Sequence, residues 1–468
     1  MAKFFLKKLA GYGDSLALVD KDGMRYSYEA LVNRAMEFRR ELDSMKGNIL
    51  AVVGDFSLDC IAVLLAGIDK DMVILPLCEE PQMESKLHEV GVDLIYQGAL
   101  LRAFDSIASR ESLSVANPQE SIKAAMLDKA MERGGAIVLF SSGSTGRPKA
   151  LVHSLESFIS PYLSKGARPI CVLLFLMFDH IGGLHTLFST LGRGGCGVVP
   201  SNRKDPISIA ASLQEHRISL LPASPSFLQL FLISGAIASF NLDSLRLVTY
   251  GTESMPPSLL SRLKAALPWV RFHETFGASE VGIIQTSSRD GAFRLEGVQY
   301  KVVDGQLHIK SSTRAIGYLN ASNEAFDEDG YFATGDLVDR IMVDGKEYLR
   351  VRGRAKEVIN VGGQKVLPQE VEGALLALPF VIDCLVFGRS NALSGQAVAA
   401  RVVVDERAFH KSFKSLIGGN TSLCSRSLKK LIRLLCKDRL ESFKLPSFVE
   451  LVDCIDSGRR FKRTRLDI

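Results

Sequence analysis

The chain has 468 residues, of which 47% are hydrophobic and 23% are charged, so it can bury a large core and is expected to divide into more than one domain. Its 57 basic and 52 acidic residues leave a net charge of +5, a balance that argues against a nucleic-acid-binding protein. The cysteines show no metal-type spacing and the N-terminal residues lack the pattern of a secretion signal, so a reducing cytoplasm is the expected location.

A short loop, Ser141 to Lys149, contains the hydroxyl residues, glycines and lysine of SSGSTGRPK. It follows an apolar run of strand length, Gly135 to Phe140, and precedes Leu151 to Ser160, which the pattern predicts to be a helix. Such a loop predicts phosphate binding, with a polar linker as the alternative. Its spacing differs from a Walker A loop and Pro148 stands beside the lysine, which argues against a GTPase or kinase.

An uncharged stretch, Ser219 to Leu242, is long enough to span a bilayer. Pro222 and Pro225 interrupt it, so we expect a buried helix beside an apolar pocket instead of a membrane span. Such a pocket would suit an acyl or aryl chain.

Apolar runs that end in Gly, Ser or Thr loops recur before Gly54, after Phe140, at Leu245 to Tyr250 and at Val270 to Glu274, with helical patterns between them. This alternation predicts an α/β fold with mostly parallel sheets. Ligands bind at the carboxyl ends of parallel strands. The loops that begin at Ser141, Gly251 and Phe276 are therefore expected to face one crevice.

Beyond residue 298 the pattern changes to antiparallel hairpins. Val302 to Ile309 turns at Asp304 and Gly305, and Val338 to Val351 turns at Asp344 and Gly345. The sequence thus predicts a smaller β-hairpin subdomain after the parallel sheets.

The last part has the pattern of a small α+β domain that begins with a strand after Lys356. Its predicted elements are a helix from Pro368 to Leu376, strands at Val381 to Phe387 and Ala397 to Val404, and a basic amphipathic helix from Leu428 to Leu440. We therefore predict an N-terminal domain of residues 1–353 and a C-terminal domain of residues 354–468.

The ordered motifs SSGSTGRPK, YGTES, FGASE, YFATGDL, GRAKEVINVGGQKV and a final basic Gly-Arg segment resemble those of the adenylate-forming superfamily, which includes acyl-CoA synthetases, carrier-protein-loading adenylation domains and luciferases. The resemblance covers nearly the whole chain. It implies a large α/β N-terminal domain and a small mobile C-terminal domain. It also implies a reaction in which a carboxylic acid and ATP give an acyl-adenylate and pyrophosphate, and a thiol then takes the acyl group.

The resemblance implies a set of phosphate-binding residues. The pyrophosphate clamp would consist of Ser141, Ser142, Gly143, Ser144, Thr145, Gly146 and Lys149. Glu280, which closes FGASE, matches the family's Mg²⁺-binding glutamate, an oxygen ligand of the kind this ion prefers. Thr275 or Ser279 would bind the α-phosphate.

The resemblance also implies an adenosine site. Gly251, Thr252 and Glu253 would pack on the adenine ring, and Phe276, followed by Gly277, would supply a flat face. Asp336 would accept hydrogen bonds from the ribose hydroxyls. Arg354 would approach ribose and phosphate from the domain junction.

The acid and thiol sites follow from the same resemblance. His180, in MFDHIGGL, takes the place of the family's acid-site histidine, whereas Asp179 beside it would instead hold the ammonium group of an amino acid. Lys356 falls at the hinge position around which the small domain rotates. Gly362 and Gly363 would line the tunnel for coenzyme A or a carrier-protein phosphopantetheine.

The main departure from the family pattern lies near the end of the chain. Where the family has the lysine that bridges carboxylate and α-phosphate, Gly458 is followed by Arg459, and Lys462 stands three residues later. Arginine is planar and hydrated differently from lysine, so the exchange is not conservative. Either Arg459 or Lys462 is the predicted adenylation cation.

The sequence therefore predicts an ATP- and Mg²⁺-dependent acid–thiol ligase that favours an apolar fatty or aryl acid, as in fatty acid metabolism. Its partners would be a small carboxylic acid, coenzyme A and an acyl carrier protein as the other acceptor, without nucleic acid. Two alternatives stay open at this point: an amino-acid-activating enzyme that loads a carrier protein, and a nucleotide- or acyl-binding protein that has lost ligation.

Overall fold

The structure is a computed structural model that describes residues 4–104, 118–141, 148–251, 253–289, 291–322, 326–419, 421–455 and 465. The described residues form three seven-stranded sheets and one five-stranded sheet. Helices cover the two seven-stranded sheets that contain parallel strands, and the third seven-stranded sheet is entirely antiparallel. The predicted mixed α/β fold with mostly parallel N-terminal sheets is confirmed.

The first sheet has a parallel centre made of short apolar strands. Ile49–Val53 and Val73–Leu77 are buried at every position, as expected for strands that are covered on both faces. The strand order is Gly317–Tyr318, Lys149–Ser154, Ala136–Ser141, Val73–Leu77, Ile49–Val53, Leu94–Gln97 and Leu100–Ala103.

The second sheet is parallel except at one edge, where Leu16–Val19 and Arg25–Ser27 form an antiparallel pair. Its strand order is Arg271–Glu274, Leu247–Tyr250, Leu220–Ala223, Cys171–Leu173, Cys196–Val198, Leu16–Val19 and Arg25–Ser27.

The helices of the N-terminal part mostly begin with a capping side chain or a proline. Ser27, Ser57 and Asp205, for example, each accept a hydrogen bond from a backbone N–H of the first turn. The helices are Phe4–Ala10, Tyr28–Asp43, Leu58–Asp69, Met83–Val90, Pro118–Glu132, Leu155–Leu163, Ile181–Leu191, Pro206–Glu215, Pro225–Ile233, Ala236–Ser239 and Pro257–Ala266.

One sequence prediction is wrong at the phosphate-type loop. The segment Leu151 to Ser160 was expected to be a helix, but Lys149–Ser154 is a strand that pairs antiparallel with Ala136–Ser141, and the helix begins only at Leu155. The apolar run Ala150–Val152 is fully buried in the sheet, which favours the extended conformation over the helical one. The loop thus joins two strands of a hairpin and does not precede a helix.

The uncharged stretch from Ser219 to Leu242 folds inside the second sheet and its cover. It forms the strand Leu220–Ala223 and the helix Pro225–Ile233, with Pro222 inside the strand and Pro225 at the helix N-terminus. Among the described residues, no helix is both long enough and apolar enough to cross a bilayer.

The third sheet is built from hairpins, as the sequence predicts. Asp304 and Gly305 both have positive φ angles, and so do Asp344 and Gly345, which is the backbone that tight two-residue hairpin turns require. The strand order is Phe276–Ala278, Gly282–Arg289, Ala292–Glu296, Lys346–Arg354, Phe332–Val343, Gln306–Lys310 and Gln299–Val303.

The C-terminal domain packs helices on a sheet around its own core. The strand order is Gln364–Val366, Ile359–Val361, Gly395–Val404 and Val381–Asn391, with Phe448–Leu451 parallel to Gly395–Val404. The helices are Pro368–Leu376, Glu406–Leu416 and Ser425–Cys436, with 3₁₀ turns at Ala355–Glu357 and Ser442–Lys444.

Candidate functional site

A cavity of about 690 Å³ lies where the two parallel strands Leu247–Tyr250 and Arg271–Glu274, the hairpin that contains Asp336 and the C-terminal helix Pro368–Leu376 meet. It collects residues from both domains. The predicted site residues in its wall are Gly251, Glu253, Thr275, Phe276, Gly277, Asp336 and Arg354. Segments that are far apart in the sequence thus meet at one opening.

The loops after the two parallel strands contact each other directly. The Thr275 backbone N–H donates to the Tyr250 carbonyl at 2.7 Å, and the Thr275 hydroxyl donates to the same oxygen at 3.0 Å. A Cβ on Gly251 would stand 2.6 Å from the Thr275 carbonyl oxygen, so only glycine fits there. The close approach explains why a glycine follows the strand at this point.

Asp336 and Arg354 form an ion pair in the opposite wall. They are register partners across the hairpin strands, and Arg354 Nε lies 2.8 Å from Asp336 Oδ1. Arg354 Nη1 also donates to the Thr334 carbonyl at 3.1 Å. The carboxylate is therefore held at the cavity by an arginine whose side chain remains 41% exposed.

Phe276 is mostly buried. Its ring stacks on Phe293 with centroids 5.1 Å apart and an interplanar angle of 25°. Only 8% of the residue is exposed, although it lines the cavity. One face of the ring is thus already occupied inside the protein.

Glu280 and Lys149 meet through a tyrosine that the sequence analysis did not single out. The Tyr318 hydroxyl donates to Glu280 Oε1 at 2.7 Å, and the Lys149 ammonium lies 5.3 Å from the centre of the Tyr318 ring. Burial raises the pKa of the Tyr318 hydroxyl, so it stays protonated as a donor. The predicted metal ligand and the predicted phosphate-loop lysine are therefore neighbours.

The ends of the predicted phosphate loop are fixed by strand pairing. Ser141 and Lys149 are register partners, and Asn320 accepts from the Ala150 N–H at 2.9 Å and donates to the Pro148 carbonyl at 3.1 Å. Several predicted site residues lie outside the described residues: Ser142, Gly143, Ser144, Thr145, Gly146, Thr252, Arg459 and Lys462.

The predicted acid-site histidine lies apart from the cavity wall. His180 precedes the helix Ile181–Leu191, and its Nδ1 accepts from the Gly182 N–H at 3.2 Å. Asp179 is buried near Cys78, and burial, followed by the charge of Asp179, raises the pKa of that thiol to about 12. A Cβ on Gly183 would stand 1.9 Å from the Met177 carbonyl oxygen, which explains the glycines of this motif.

The remaining predicted residues also stand outside the cavity wall. Gly362 and Gly363 form the exposed turn between Ile359–Val361 and Gln364–Val366, with φ angles of 57° and 86°. The Gly362 N–H donates to the Ser394 carbonyl at 2.9 Å. Ser279 follows the strand Phe276–Ala278, next to Glu280.

Glu274 is a cavity residue that the sequence analysis missed. It directly precedes Thr275, is only 6% exposed, and accepts a long hydrogen bond from the Tyr250 hydroxyl at 3.5 Å. Burial raises the pKa of its carboxyl to about 7. Its position beside the FGASE motif was visible in the sequence, but its burial was not.

Arg465, also missed, joins three elements of the C-terminal domain. Its Nη1 lies 2.8 Å from Glu357 Oε2, and its Nη2 lies 2.8 Å from Glu372 Oε2. All three side chains are largely buried, and all three residues line the cavity. Through these ion pairs, Arg465 connects the 3₁₀ turn Ala355–Glu357, which contains Lys356, to the helix Pro368–Leu376.

Gln229 connects the two domains. Its Nε2 donates to the Ile382 carbonyl at 2.5 Å, across from the helix Pro225–Ile233 to the strand Val381–Asn391. The residue is 1% exposed and lines the cavity. Nothing in the uncharged stretch around it distinguished this glutamine in the sequence.

Comparison with known proteins identifies the class to which this fold and this cavity belong. Residues 5–319 match the model of the AMP-binding enzyme family, and residues 370–462 match the AMP-binding enzyme C-terminal domain. The chain therefore belongs to the AMP-binding enzyme family, within the adenylate-forming superfamily that its motifs resemble.

Relatives and solved structures agree with this assignment. The long-chain-fatty-acid–CoA ligase FadD13 of Mycobacterium tuberculosis is 25% identical over 91% of this chain and 88% of its own. The 3-[(3aS,4S,7aS)-7a-methyl-1,5-dioxo-octahydro-1H-inden-4-yl]propanoyl:CoA ligase of Rhodococcus jostii is 25% identical over 68% of this chain, and the match spans 61% of that relative's length. The crystal structure of ATP-bound MatB from Rhodopseudomonas palustris superimposes with a TM-score of 0.74 at 20% identity, covering 98% of this chain and 96% of that one.

Proposed function

We propose that this protein is an ATP-dependent ligase that activates a carboxylic acid as an acyl-adenylate and transfers the acyl group to coenzyme A. The observation that carries the proposal is the cavity that the Gly251–Thr275 contact and the Asp336–Arg354 pair both line. The curated relatives named as CoA ligases support this reaction, among them FadD13 and the 4-coumarate–CoA ligase-like 9 of Oryza sativa subsp. japonica, 25% identical over 86% of this chain.

The acid and ATP are both anions, so the site has to supply positive charge and hydrogen-bond donors as the acid attacks the α-phosphate. Lys149 would serve at the pyrophosphate together with residues 142–146, and Arg354 at the ribose and phosphate. Arg459 or Lys462 would bridge the carboxylate and the α-phosphate. Asp336, already held by Arg354, would accept from the ribose hydroxyls.

Magnesium fits the residues present. This ion usually binds one or two carboxylates together with substrate phosphates. Within the described part of the chain, no group of three or more acidic, histidine or cysteine side chains is arranged to hold a metal without substrate. Glu280 would hold Mg²⁺ against the phosphates, where the ion would neutralise the charge of the leaving pyrophosphate, and Tyr318 would orient the carboxylate through its 2.7 Å hydrogen bond.

Of the two predicted α-phosphate ligands, the hydrogen bonds favour Ser279 over Thr275. The Thr275 hydroxyl already donates to the Tyr250 carbonyl, so a phosphate would have to displace this bond. The hydroxyl of Ser279, next to Glu280, has no such hydrogen bond to the Tyr250 carbonyl. We propose that Ser279 contributes the side-chain donor and that Thr275 shapes the loop.

The second half-reaction would need the small domain to move. We place the boundary after Gly353 and the hinge at Lys356, so that Gly362 and Gly363 turn toward the thiol path. The hydrogen bond from Gln229 to the Ile382 carbonyl would break during this rotation, because its two partners stand on different domains. The reaction would thus use two domain arrangements, and the present structure would be one of them.

We favour an apolar fatty or aryl acid, with His180 in the acid pocket and coenzyme A as acceptor. The helix Pro225–Ile233 reaches the cavity wall through Pro225, Ser226 and Gln229. Apolar surface in the same wall comes from Met255, Leu259 and Leu260, close to the proposed nucleotide site. Acyl carrier protein is the alternative acceptor.

Pyrophosphate exchange with ATP, Mg²⁺ and a panel of fatty, aryl and amino acids tests the proposal. Exchange with an apolar acid, followed by thioester formation when coenzyme A is added, is the expected result. Exchange only with amino acids would show that the substrate is an amino acid and not an apolar acid. ATP binding without exchange on any acid would overturn the proposal that the protein is a ligase. Arg459→Ala and Lys462→Ala, compared separately, would show which cation serves the first half-reaction.

A further inference from the structure

The positive net charge of the chain is concentrated in one segment of the C-terminal domain. Residues 405–440 contain nine lysines and arginines but only three acidic residues, whereas the whole chain has a net charge of +5. The rest of the chain is therefore close to neutral. An asymmetry of this kind suggests that this part of the surface faces an anionic partner.

On the helix Ser425–Cys436 the basic residues form one stripe. Arg426, Lys430 and Arg433 follow each other at intervals of four and three, and Lys437 continues the row at the C-cap. All four are exposed. The row is about 16 Å long, given a rise of about 1.5 Å per residue.

The opposite face of this helix is already used inside the protein. Leu428, Leu431 and Ile432 are completely buried in the core of the C-terminal domain. The helix therefore cannot turn over to insert an apolar face elsewhere without unfolding that core. Contacts made by its outer face have to be electrostatic and made at the surface.

The preceding helix, Glu406–Leu416, repeats this arrangement. Arg407, Lys411 and Lys414 share one exposed face, while Phe409 and Phe413 pack into the same core. Two neighbouring helices in the sequence thus each present a row of cations outward.

These rows are not neutralised by the protein. Within the described ranges, none of the seven cations has a carboxylate oxygen within 4.0 Å, whereas Lys444 in the same domain lies 2.6 Å from Glu370 Oε1. Leu434, beside the stripe, is 37% exposed. Leu416, at the end of the helix Glu406–Leu416, is 50% exposed, so the two helices combine unpaired positive charge with two exposed apolar side chains.

We propose that the basic row on the helix Ser425–Cys436 docks the C-terminal domain on an anionic lipid bilayer surface, with the row on Glu406–Leu416 adding to the positive charge of the domain. We take an acidic lipid surface as the occupant, because four lysines and arginines in a row on one amphipathic helix are the pattern that binds acidic lipid headgroups. The exposed leucines Leu434 and Leu416 suit the apolar side of the headgroup region. This docking is independent of the ligase reaction.

The test is sedimentation of the full-length chain with vesicles of phosphatidylcholine alone or with added phosphatidylserine, at near-physiological salt. Arg426, Lys430, Arg433 and Lys437 are all replaced by Gln in one variant. The matched control replaces Lys21, Lys46, Lys204 and Lys346, which are exposed elsewhere, and so changes the net charge equally. Thermal unfolding checks that both variants are folded.

The unmodified chain should bind only the acidic vesicles, and the helix variant should lose on the order of 100-fold or more in partition, while the control loses much less. Raised salt should weaken the binding. Equal losses in the two variants, equal binding to neutral vesicles, or no binding of the unmodified chain would each overturn the proposal. In the last case an acidic protein would become the better occupant.

Discussion

Asp336 and Arg354 face each other across a hairpin at the domain junction, with Arg354 Nε 2.8 Å from Asp336 Oδ1. The Asp336 side chain is 9% exposed and the Arg354 side chain 41% exposed, and both residues line the cavity. Because Arg354 is the last residue of the strand Lys346–Arg354, two residues before Lys356, the pair lies beside the proposed hinge.

Asp336→Asn should weaken ATP binding by about 10- to 100-fold, because hydrogen bonds to a charged group contribute about 1.5–3 kcal/mol. Isothermal titration with ATP and Mg²⁺ measures this. Asp344→Asn is the control, since Asp344 stands at a turn with a φ of 50°, where asparagine is equally suited. Unchanged ATP affinity in Asp336→Asn would remove this carboxylate from the nucleotide site.

Gly251→Ala should lower both stability and ATP affinity, because its Cβ would meet the Thr275 carbonyl oxygen at 2.6 Å. We expect a loss of about 1–3 kcal/mol in the free energy of unfolding, as for other overpacked sites. Gly373→Ala is the matched control within the helix Pro368–Leu376: its Cβ meets no atom within 4 Å, so it should stabilise by about 0.5–1 kcal/mol. Urea unfolding compares them, and a neutral Gly251→Ala would contradict the close packing.

Glu274 should make stability depend on pH. Its folded-state pKa of about 7 exceeds its ordinary value of 4.5, so the native chain holds this proton more tightly than the unfolded chain. The resulting stabilisation is complete below about pH 4.5 and is lost as the pH rises through about 7, by about 3 kcal/mol at most.

Glu274→Gln should therefore unfold at higher urea than the unmodified chain at pH 8, and the difference should be much smaller at pH 5. Glu84→Gln, on an exposed helix surface, controls for the change of net charge. A constant difference between the two pH values would show that Glu274 does not titrate in this range.

Tyr318→Phe should raise the Mg²⁺ concentration that half-saturates pyrophosphate exchange by about threefold to tenfold, because Glu280 loses the donor that orients it. Tyr300→Phe is a close control, since the Tyr300 hydroxyl donates to Glu347 Oε1 at the same 2.7 Å but in the outer hairpin. Should both variants change the Mg²⁺ dependence alike, the effect would not come from Glu280.

Arg465→Met should cost about 3–5 kcal/mol in the free energy of unfolding, because it removes the guanidinium that contacts the largely buried carboxylates of Glu357 and Glu372. Adding Glu372→Gln should recover part of this loss. Arg401→Met breaks an ion pair of 2.9 Å with Glu450 at the surface, and should cost less than about 1 kcal/mol. Urea unfolding measures all three, and equal costs for the two arginines would argue against a buried network.

Much of the fold was predictable from local sequence patterns. The Asp-Gly turns predicted both long hairpins, and the helix Pro368–Leu376 begins and ends where Pro368 and its apolar spacing indicated. The prediction failed at Leu151 to Ser160, because a short apolar run fits a buried strand as well as a helix, and only pairing with Ala136–Ser141 decides between them.

The candidate site was predictable where its residues stand in motifs. The loops that begin at Ser141, Gly251 and Phe276 were expected to face one crevice; Gly251 and Phe276 line one cavity, whereas Ser141 does not stand in its wall. Glu274, Arg465 and Gln229 were not foreseen, because their importance comes from burial and from partners that are far away in the sequence. The sequence does not distinguish a carboxyl that becomes buried in a site from one that stays on the surface, because the difference arises only when the neighbouring strands pack around it.

The sequence by itself determined the family, the order of the elements and the chemical type of the predicted phosphate-binding groups, because these depend on local spacing and on side-chain chemistry. Tertiary structure alone decided that the loop after Phe140 closes a hairpin, that Tyr318 joins Lys149 to Glu280, and that Arg465 is buried between two carboxylates. The physical reason is that hydrogen bonds and burial depend on which distant segments meet, and that choice is made by the packing of the whole chain.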